Sequence, residues 1–533
     1  MNRKIQIYDC TLRDGTQAVG INFSQTGKVH FARRLDEFGV SFIEGGYAGS
    51  NAKDMQFFQI IRKECLTTAK IAAFGSTRRA GLDVQKDPLV QALIEADTEY
   101  CTIYGKTWML HVAEVLRTTA DENAQMIADT VGYLRGKGRH VFFDAEHFFD
   151  GYKHDPVFAM RMLSMAVEAG AEALVLCDTN GGTLPSDVHR VVAEVCSKFP
   201  QVDIGIHTHN DGGMAVANSI EAVRAGAVQV QGCINGYGER SGNANLTTII
   251  PTLELKMGCP CVTEGHLSGL HALSLYVDDL VNQRPDIRAP YVGEASFSHK
   301  AGAHVSGIQK NPTSFEHVPP ESVGNERKIM ISELSGGSNV LYRLKQMGAN
   351  YADISREEVQ HILESLKNRE GQGYAFESAD GSFQLLVQKA LNQHKSFFDL
   401  DAFRVIVEKR GNDQPCISEA TIKVCVDGET EHTAGEGSGP VDALDHALRK
   451  ALSRFYPEIA DVVLTDFRVR ILDPNEATGA TTRVLIESSD GIRQWGTVGV
   501  STNIIEASWQ ALVDSMEYKL FADEQDAQKG KSE

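Results

Sequence analysis

Two histidines, His207 and His209, sit one residue apart in the stretch Ile204-Gly-Ile-His-Thr-His-Asn-Asp211. The stretch reads as a β-strand running out into a loop. In a strand, residues i and i+2 point the same way, so both imidazoles project from one face at the strand's end. Converging imidazoles there suit a divalent metal. A lone His-x-His is a weak motif, and two unrelated polar residues at a strand end remain the alternative. Further ligand candidates are Asp14, in Asp9-Cys-Thr-Leu-Arg-Asp-Gly-Thr-Gln17, and Asn243, which ends Gly236-Tyr-Gly-Glu-Arg-Ser-Gly-Asn243. A carboxylate, two imidazoles and an amide oxygen suit Mg²⁺, Mn²⁺ or Zn²⁺ without choosing among them. Open positions would remain for a chelating substrate, and the keto and carboxylate oxygens of a 2-oxo acid form such a pair. Arg13 could polarise the keto oxygen as it becomes an alkoxide; its alternative is an ion pair with Asp14 or Glu44. Glu146 is a candidate for proton transfer, or a group that orients a ligand.

These residues need elements to carry them. Short apolar runs at 5–9, 42–45, 70–74, 100–104, 140–144, 173–177, 203–207 and 227–233 alternate with amphipathic helical patterns. Expected helix starts are Ser24, Asp121, Pro156, Ser186 and Gly213, and Gly39, Gly170 and Gly226 stand at helix ends. The runs are continuous rather than alternating, as parallel strands covered on both faces require. Eight strand-then-helix units in about 250 residues predict a (β/α)₈ TIM barrel, with its active site at the C-terminal strand ends. An open doubly wound sheet is the alternative, but no glycine fingerprint follows strand one. Arg13 and Asp14 follow strand one, Tyr104 and Lys106 strand four, Asp144 and Glu146 strand five, and Asp178-Thr-Asn180 strand six.

Composition sets limits. The chain has 533 residues, 42% hydrophobic and 23% charged, with a formal charge of −19. That charge argues against nucleic-acid binding, which needs clustered Lys and Arg. No run of 18 apolar residues announces a membrane span, and the N-terminus lacks a signal-peptide pattern. The ten scattered cysteines read as reduced thiols in a cytoplasmic protein.

Together, the Asp9–Gln17 motif, the His207/His209 pair and the Gly236–Asn243 motif resemble the DRE-TIM metallolyases of the 2-isopropylmalate synthase family. The resemblance covers the whole barrel, with three motifs in order. Tyr104-Gly-Lys-Thr-Trp108, Asp144-Ala-Glu-His-Phe-Phe-Asp-Gly-Tyr152, Leu176-Cys-Asp-Thr-Asn-Gly-Gly-Thr-Leu-Pro185 and Ser298-His-Lys-Ala-Gly-Ala-His304 are most similar to members that condense acetyl-CoA with pyruvate. The resemblance implies that Asp14, His207 and His209 bind a divalent metal, with Asn243 in or near its shell. It implies that Arg13 holds and activates the oxo acid, that Tyr104, Asp144 and Thr179 bind substrate, and that Glu146 orients substrates or assists proton transfer. His299 would help remove the acetyl methyl proton or activate the hydrolytic water. The implied reaction is a Claisen-type addition followed by thioester hydrolysis. One departure stands out: relatives carry a Tyr shortly before a Pro-x-x-Val-Gly segment, and this chain places Phe315 there, so either His317 or water replaces the phenol or the phenol is not needed here for chemistry. The nearest alternative is a 2-isopropylmalate synthase, taking a larger 2-oxo acid and answering to leucine. A catalytically silent amino-acid sensor is the alternative of another class.

Beyond a barrel domain over 1–285, residues 286–400 read as small helical linker subdomains covering the active site, with helices over 356–366 and 383–392. Residues 401–522 contain an internal repeat: Ala420–Gly428 and Thr433–Ala443 parallel Thr482–Gly491 and Trp495–Ala507. Each unit is expected to be a β-hairpin followed by a helix, giving an α+β module with a pseudo-twofold axis. Gly435-Glu-Gly-Ser-Gly439 lacks the Lys-Ser/Thr of a phosphate loop and reads as a helix-start turn. The module resembles the regulatory domain of the same synthases. That implies a homodimer and isoleucine as allosteric effector. Residues 523–533 are polar and expected to be disordered.

Overall fold

The computed structural model describes residues 3–300, 302–329, 354–376, 379–472 and 479–529. Strands β1 (Gln6–Asp9), β2 (Phe42–Tyr47), β3 (Lys70–Ser76), β4 (Tyr100–Lys106), β5 (His140–Glu146), β6 (Ala173–Asp178), β7 (Asp203–Thr208) and β8 (Gln229–Gly232) form one closed parallel barrel. Closure comes from β8 pairing with β1, with Gln6 opposite Gln229 and Asp9 opposite Gly232. All eight expected strands are present.

Helix boundaries follow local chemistry. The Ser24 hydroxyl accepts from the Gly27 N–H at 2.9 Å and starts the helix Gln25–Phe38. The helix Ala120–Gly136 is capped by Thr119, not Asp121, because the Thr119 hydroxyl accepts from the Glu122 N–H. The helix Pro185–Lys198 begins one residue before Ser186, where proline's missing N–H costs nothing. The helix Ala215–Ala225 starts two residues after Gly213.

The barrel has an inner and an outer core. Outward-facing Ile103, Phe143 and Leu174 pack beneath the helices. Inside, Tyr8, Phe42 and Phe142 form an aromatic plug, with Phe42 and Phe142 edge to face at 5.1 Å. Fully burying one such side chain contributes about 1.5–3 kcal/mol. The plug closes the barrel below the strand ends, so any site is open only at the top.

The chain divides into two compact units, 1–297 with 316–327, and 298–315 with 328–533. In the second unit β9 (Ser298–His299) pairs in parallel with β10 (Lys328–Ile329). The linker helices run Arg356–Gly371 and Asp380–Ala390, the first longer than expected and the second starting earlier. Two antiparallel sheets follow, β11 (Asp399–Lys409), β12 (Cys416–Val426), β13 (Glu429–Gly437), then β14 (Val463–Ile471), β15 (Thr482–Ser489), β16 (Gln494–Ser501). Each sheet precedes a helix, Pro440–Leu452 and Ile504–Lys529. The repeat is therefore three strands and a helix, one strand more per unit than the hairpin expected.

Gly439 is the N-cap residue of the helix Pro440–Leu452, as the helix-start reading requires. A Cβ on Gly437 would come within 2.3 Å of the Ala443 nitrogen, so glycine lets β13 lie directly on this helix. Residues 523–529, expected to belong to a disordered tail, continue the last helix, where Asp523 is paired with Arg493 and Lys519. Residues 530–533 lie outside the described residues. No helix among the described residues is long and apolar enough to cross a membrane.

Candidate active site and metal centre

The loop after β1 is fastened before it presents any functional group. The Asp9 carboxylate accepts from the Thr11 N–H at 3.0 Å and the Thr11 hydroxyl at 2.8 Å, and that hydroxyl accepts from the Ile234 N–H at 2.9 Å. The turn that follows points Arg13 and Asp14 into the barrel mouth. Strand β7 ends in His207 and Thr208, and the next residue, His209, is bridged to Asn243 of the loop after β8. That loop folds back tightly. Gly242 has φ +91°, and a Cβ there would meet the Gly236 carbonyl oxygen at 2.1 Å.

The result is a cluster of three side chains whose ligand atoms lie within 4.8 Å of one another: Asp14, His207 and His209. Asp14 Oδ2 is 3.3 Å from His207 Nε2 and 4.0 Å from His209 Nε2, and the two Nε2 atoms are 3.3 Å apart. The Asn243 amide donates to Asp14 Oδ2 at 2.8 Å, while its carbonyl oxygen is buried without a hydrogen-bond partner. Burial alone would raise the Asp14 carboxyl. The Arg13 charge and the His207 hydrogen bond outweigh it and hold Asp14 far below the usual carboxylate range. Burial, then the neighbouring His207, pushes the His209 imidazole down to about 3. An anionic oxygen, a neutral imidazole and an orphaned amide oxygen, all buried, form a donor set that fits a divalent cation.

Arg13 is held from three sides. Its Nε donates to Glu44 Oε2 at 2.5 Å, its Nη1 is 3.3 Å from Asp14 Oδ1, and its guanidinium carbon lies 3.7 Å from the Phe74 ring centre. Fully buried Glu44 also accepts from the Tyr8 hydroxyl at 2.9 Å. The ion pair offered above as the alternative for Arg13 therefore exists. It does not remove Arg13 from the cleft, whose lining includes it.

The cleft at the strand ends has a volume of about 230 Å³. Tyr104 and Phe74, stacked at 5.4 Å, form one wall with Tyr47. Asp144 and Glu146 line it from β5 and Thr179 from the loop after β6. Burial, then the Glu44 charge, raises the Asp144 carboxyl to about 7. Glu146 is ion-paired with Lys106. The Thr179 hydroxyl oxygen accepts from the His147 N–H at 3.0 Å. His147 itself has φ 54°, a left-handed conformation that is costly for a side chain of this size.

Of the site residues expected from sequence, Arg13, Asp14, Tyr104, Asp144, Glu146, Thr179, His207 and His209 all line this cleft, and Asn243 touches Asp14 behind it. His299 lies in the second unit on β9 and is not among the lining residues. Phe315 is in that unit too, its ring stacked on His304 at 4.3 Å. The His317 ring packs near Tyr291 and Phe297 in the first unit. Sequence reasoning gave no role to Tyr47, Phe74, Cys177 or Arg240, which also line the cleft. Arg240 stood inside a quoted motif; here it holds Asp211 with two hydrogen bonds, 2.7 and 3.0 Å.

Comparison with known proteins gives this geometry a family. Residues 4–276 match the HMGL-like family, 291–373 the homocitrate synthase post-HMGL domain-like family, and 377–520 the LeuA allosteric (dimerisation) domain. The chain is 51% identical to the (R)-citramalate synthase of Geobacter sulfurreducens, over 98% of each chain. It is 49% identical to that of Aquifex aeolicus, over 99% of each. A probable 2-isopropylmalate synthase of Methanopyrus kandleri is 30% identical, over 96% of this chain and 98% of that one. On this likeness across nearly its whole length, the chain belongs to the (R)-citramalate synthase family.

Proposed function

We propose that this protein condenses acetyl-CoA with pyruvate and hydrolyses the thioester, releasing (R)-citramalate and CoA. The observation that carries the proposal is the Asp14, His207 and His209 cluster with Arg13 beside it, in a cleft of about 230 Å³ walled by aromatic rings. A divalent cation (Mn²⁺, Mg²⁺ or Zn²⁺) held by Asp14, His207 and His209, with the Asn243 carbonyl alongside, would supply Lewis acidity.

The chain's own groups have distinct tasks. Thr179 already accepts from a backbone N–H, which leaves its hydroxyl proton for the pyruvate carboxylate. Arg13, fixed by Glu44 and Phe74, faces the keto oxygen without needing to reorganise. A base takes one proton from the acetyl methyl group, with Glu146 assisting at the cleft edge. The carbon so formed attacks the keto carbon, and the π-electron pair moves onto oxygen, which Arg13 steadies until it is protonated. Water then attacks the thioester carbonyl, the C–S bond breaks, and CoA leaves as the thiol. By the resemblance of its motif alone, His299 is assigned either to removal of the acetyl methyl proton or to activation of that water. The C-terminal module is proposed to dimerise the chain and to bind isoleucine as a feedback inhibitor, which its likeness to an allosteric dimerisation domain supports.

The test is CoA release with Mn²⁺ across pyruvate, 2-oxobutyrate, 2-oxoisovalerate and 2-oxoglutarate, each with and without isoleucine and leucine. Preference for pyruvate with isoleucine inhibition is expected. Preference for 2-oxoisovalerate with leucine inhibition would transfer the chain to the 2-isopropylmalate reaction. No release with any acid would favour a non-catalytic sensor.

A further inference from the structure

Gln231 is a wholly buried amide inside the barrel, in contact with Cys10, Asp144 and His207. It stands on β8, in register with Tyr8 on one side and His207 on the other. Its Oε1 is 3.0 Å from His207 Nδ1, and its Nε2 donates to Asp144 Oδ1 at 3.2 Å. The amide nitrogen donates to Asp144 Oδ1, and the Cys10 thiol donates to Oε1 at 4.0 Å, which marks Oε1 as the acceptor end of the amide. Oε1 is then left for His207, and His207 Nδ1 must be the donor. That places a proton on Nδ1 and turns Nε2 towards Asp14 and His209, the side on which a cation would be shared.

We propose that Gln231 is a positioning residue: it sets the tautomer and ring orientation of His207 for metal binding, and ties that ligand to Asp144 in the substrate cleft. The inference rests on the metal reading above. Hydrophobic packing alone does not account for the amide. A methionine would fill nearly the same volume but leave Nδ1 without an acceptor. Loss of such an outer partner typically weakens metal affinity 10–100-fold.

The experiment compares Mn²⁺ binding to the full-length chain by the free-ion EPR signal, in wild type, Gln231→Met and Gln231→Glu. Glutamate keeps an acceptor at Nδ1, whereas methionine keeps only the volume. The expected result is about 10–100-fold weaker binding for Gln231→Met and affinity within about threefold of wild type for Gln231→Glu. A purely space-filling role predicts the opposite order, because the added carboxylate faces Asp144. Wild-type affinity in Gln231→Met overturns the inference and leaves the metal reading intact. Should Gln231→Met fail to fold, the glutamate variant decides alone: a folded Gln231→Glu chain with tenfold weaker binding overturns the inference. No Mn²⁺ uptake by the wild type overturns the metal reading, and this inference with it.

Discussion

Glu44 holds Arg13 by a buried ion pair, Oε2 to Nε at 2.5 Å, at the mouth of the barrel. The pair converts a long, mobile side chain into a fixed positive wall, and the Phe74 ring behind the guanidinium leaves it one direction to face. Glu44→Gln removes the charge that compensates Arg13. Breaking a buried pair of this kind costs about 3–5 kcal/mol, so the melting temperature should fall along with kcat. Arg13→Lys should be no milder for catalysis. An ammonium cannot stack and donate sideways at once, and a drop in kcat of about 10²–10³-fold is expected. Steady-state CoA release checks both, and wild-type kcat in Arg13→Lys would remove Arg13 from the oxyanion role.

The cluster of Asp14, His207 and His209 predicts a clean dependence on added metal. Dialysis against EDTA should abolish CoA release, and Mn²⁺ should restore it. Asp14→Ala and His207→Ala should lose turnover and Mn²⁺ uptake together while circular dichroism stays that of the folded chain. Undiminished activity in both variants would sink the metal assignment.

Tyr104 and Phe74 wall the cleft, and the side chain of a larger oxo acid is expected to extend towards them. Tyr104→Ala should raise kcat/KM for 2-oxobutyrate relative to pyruvate by about tenfold, the scale set by a methylene's worth of pocket. An unchanged ratio would mean that the acid's side chain points elsewhere.

What could be read in the sequence divides along physical lines. Continuous apolar runs are a local signal, so all eight barrel strands were legible, as were His207 and His209 through the two-residue period of a strand. Gln231 and Phe74 were not, because their roles depend on which strand pairs with which and in what register. The first strand of each C-terminal repeat was missed for another reason. Leu400, Ile406, Val407, Phe467 and Val469 are exposed, and register shifts at Leu400/Ala402 and Leu464/Asp466 break the alternation. The last helix was misjudged at 523–529 because its polar residues are satisfied by Arg493 and Lys519, partners distant in sequence or one turn back.

The second unit carries its own pH dependence. Burial pushes the Asp514 carboxyl up to about 6, against the opposing charge of Lys389 and the Ser382 hydroxyl, which donates at 2.5 Å. The folded value lies above the unfolded one, so the folded chain holds the extra proton. The associated stability is fully present below about pH 4 and is lost as pH rises through 6, up to ~3 kcal/mol. Asp514→Asn should therefore flatten the fall in melting temperature between pH 4 and 8, and raise it at pH 8. A calorimetric profile identical to that of the wild type would contradict the shift.

Gly437 offers a test of regulation that leaves the barrel untouched. Its missing Cβ lets β13 approach the helix Pro440–Leu452, and an added methyl would meet the Ala443 nitrogen at 2.3 Å. Backbone does not yield as a side-chain tip does, so Gly437→Ala must push strand and helix apart. Isoleucine inhibition should then weaken at least tenfold while kcat with pyruvate stays within about twofold, since the catalytic cleft lies in the other unit. Deleting residues after about 400 should abolish inhibition, but it also strips the partner surface from Phe383 and Val387, which pack on Val498 and Val500. The point substitution is therefore the cleaner comparison. Inhibition that survives in both would place the effector site outside the C-terminal module.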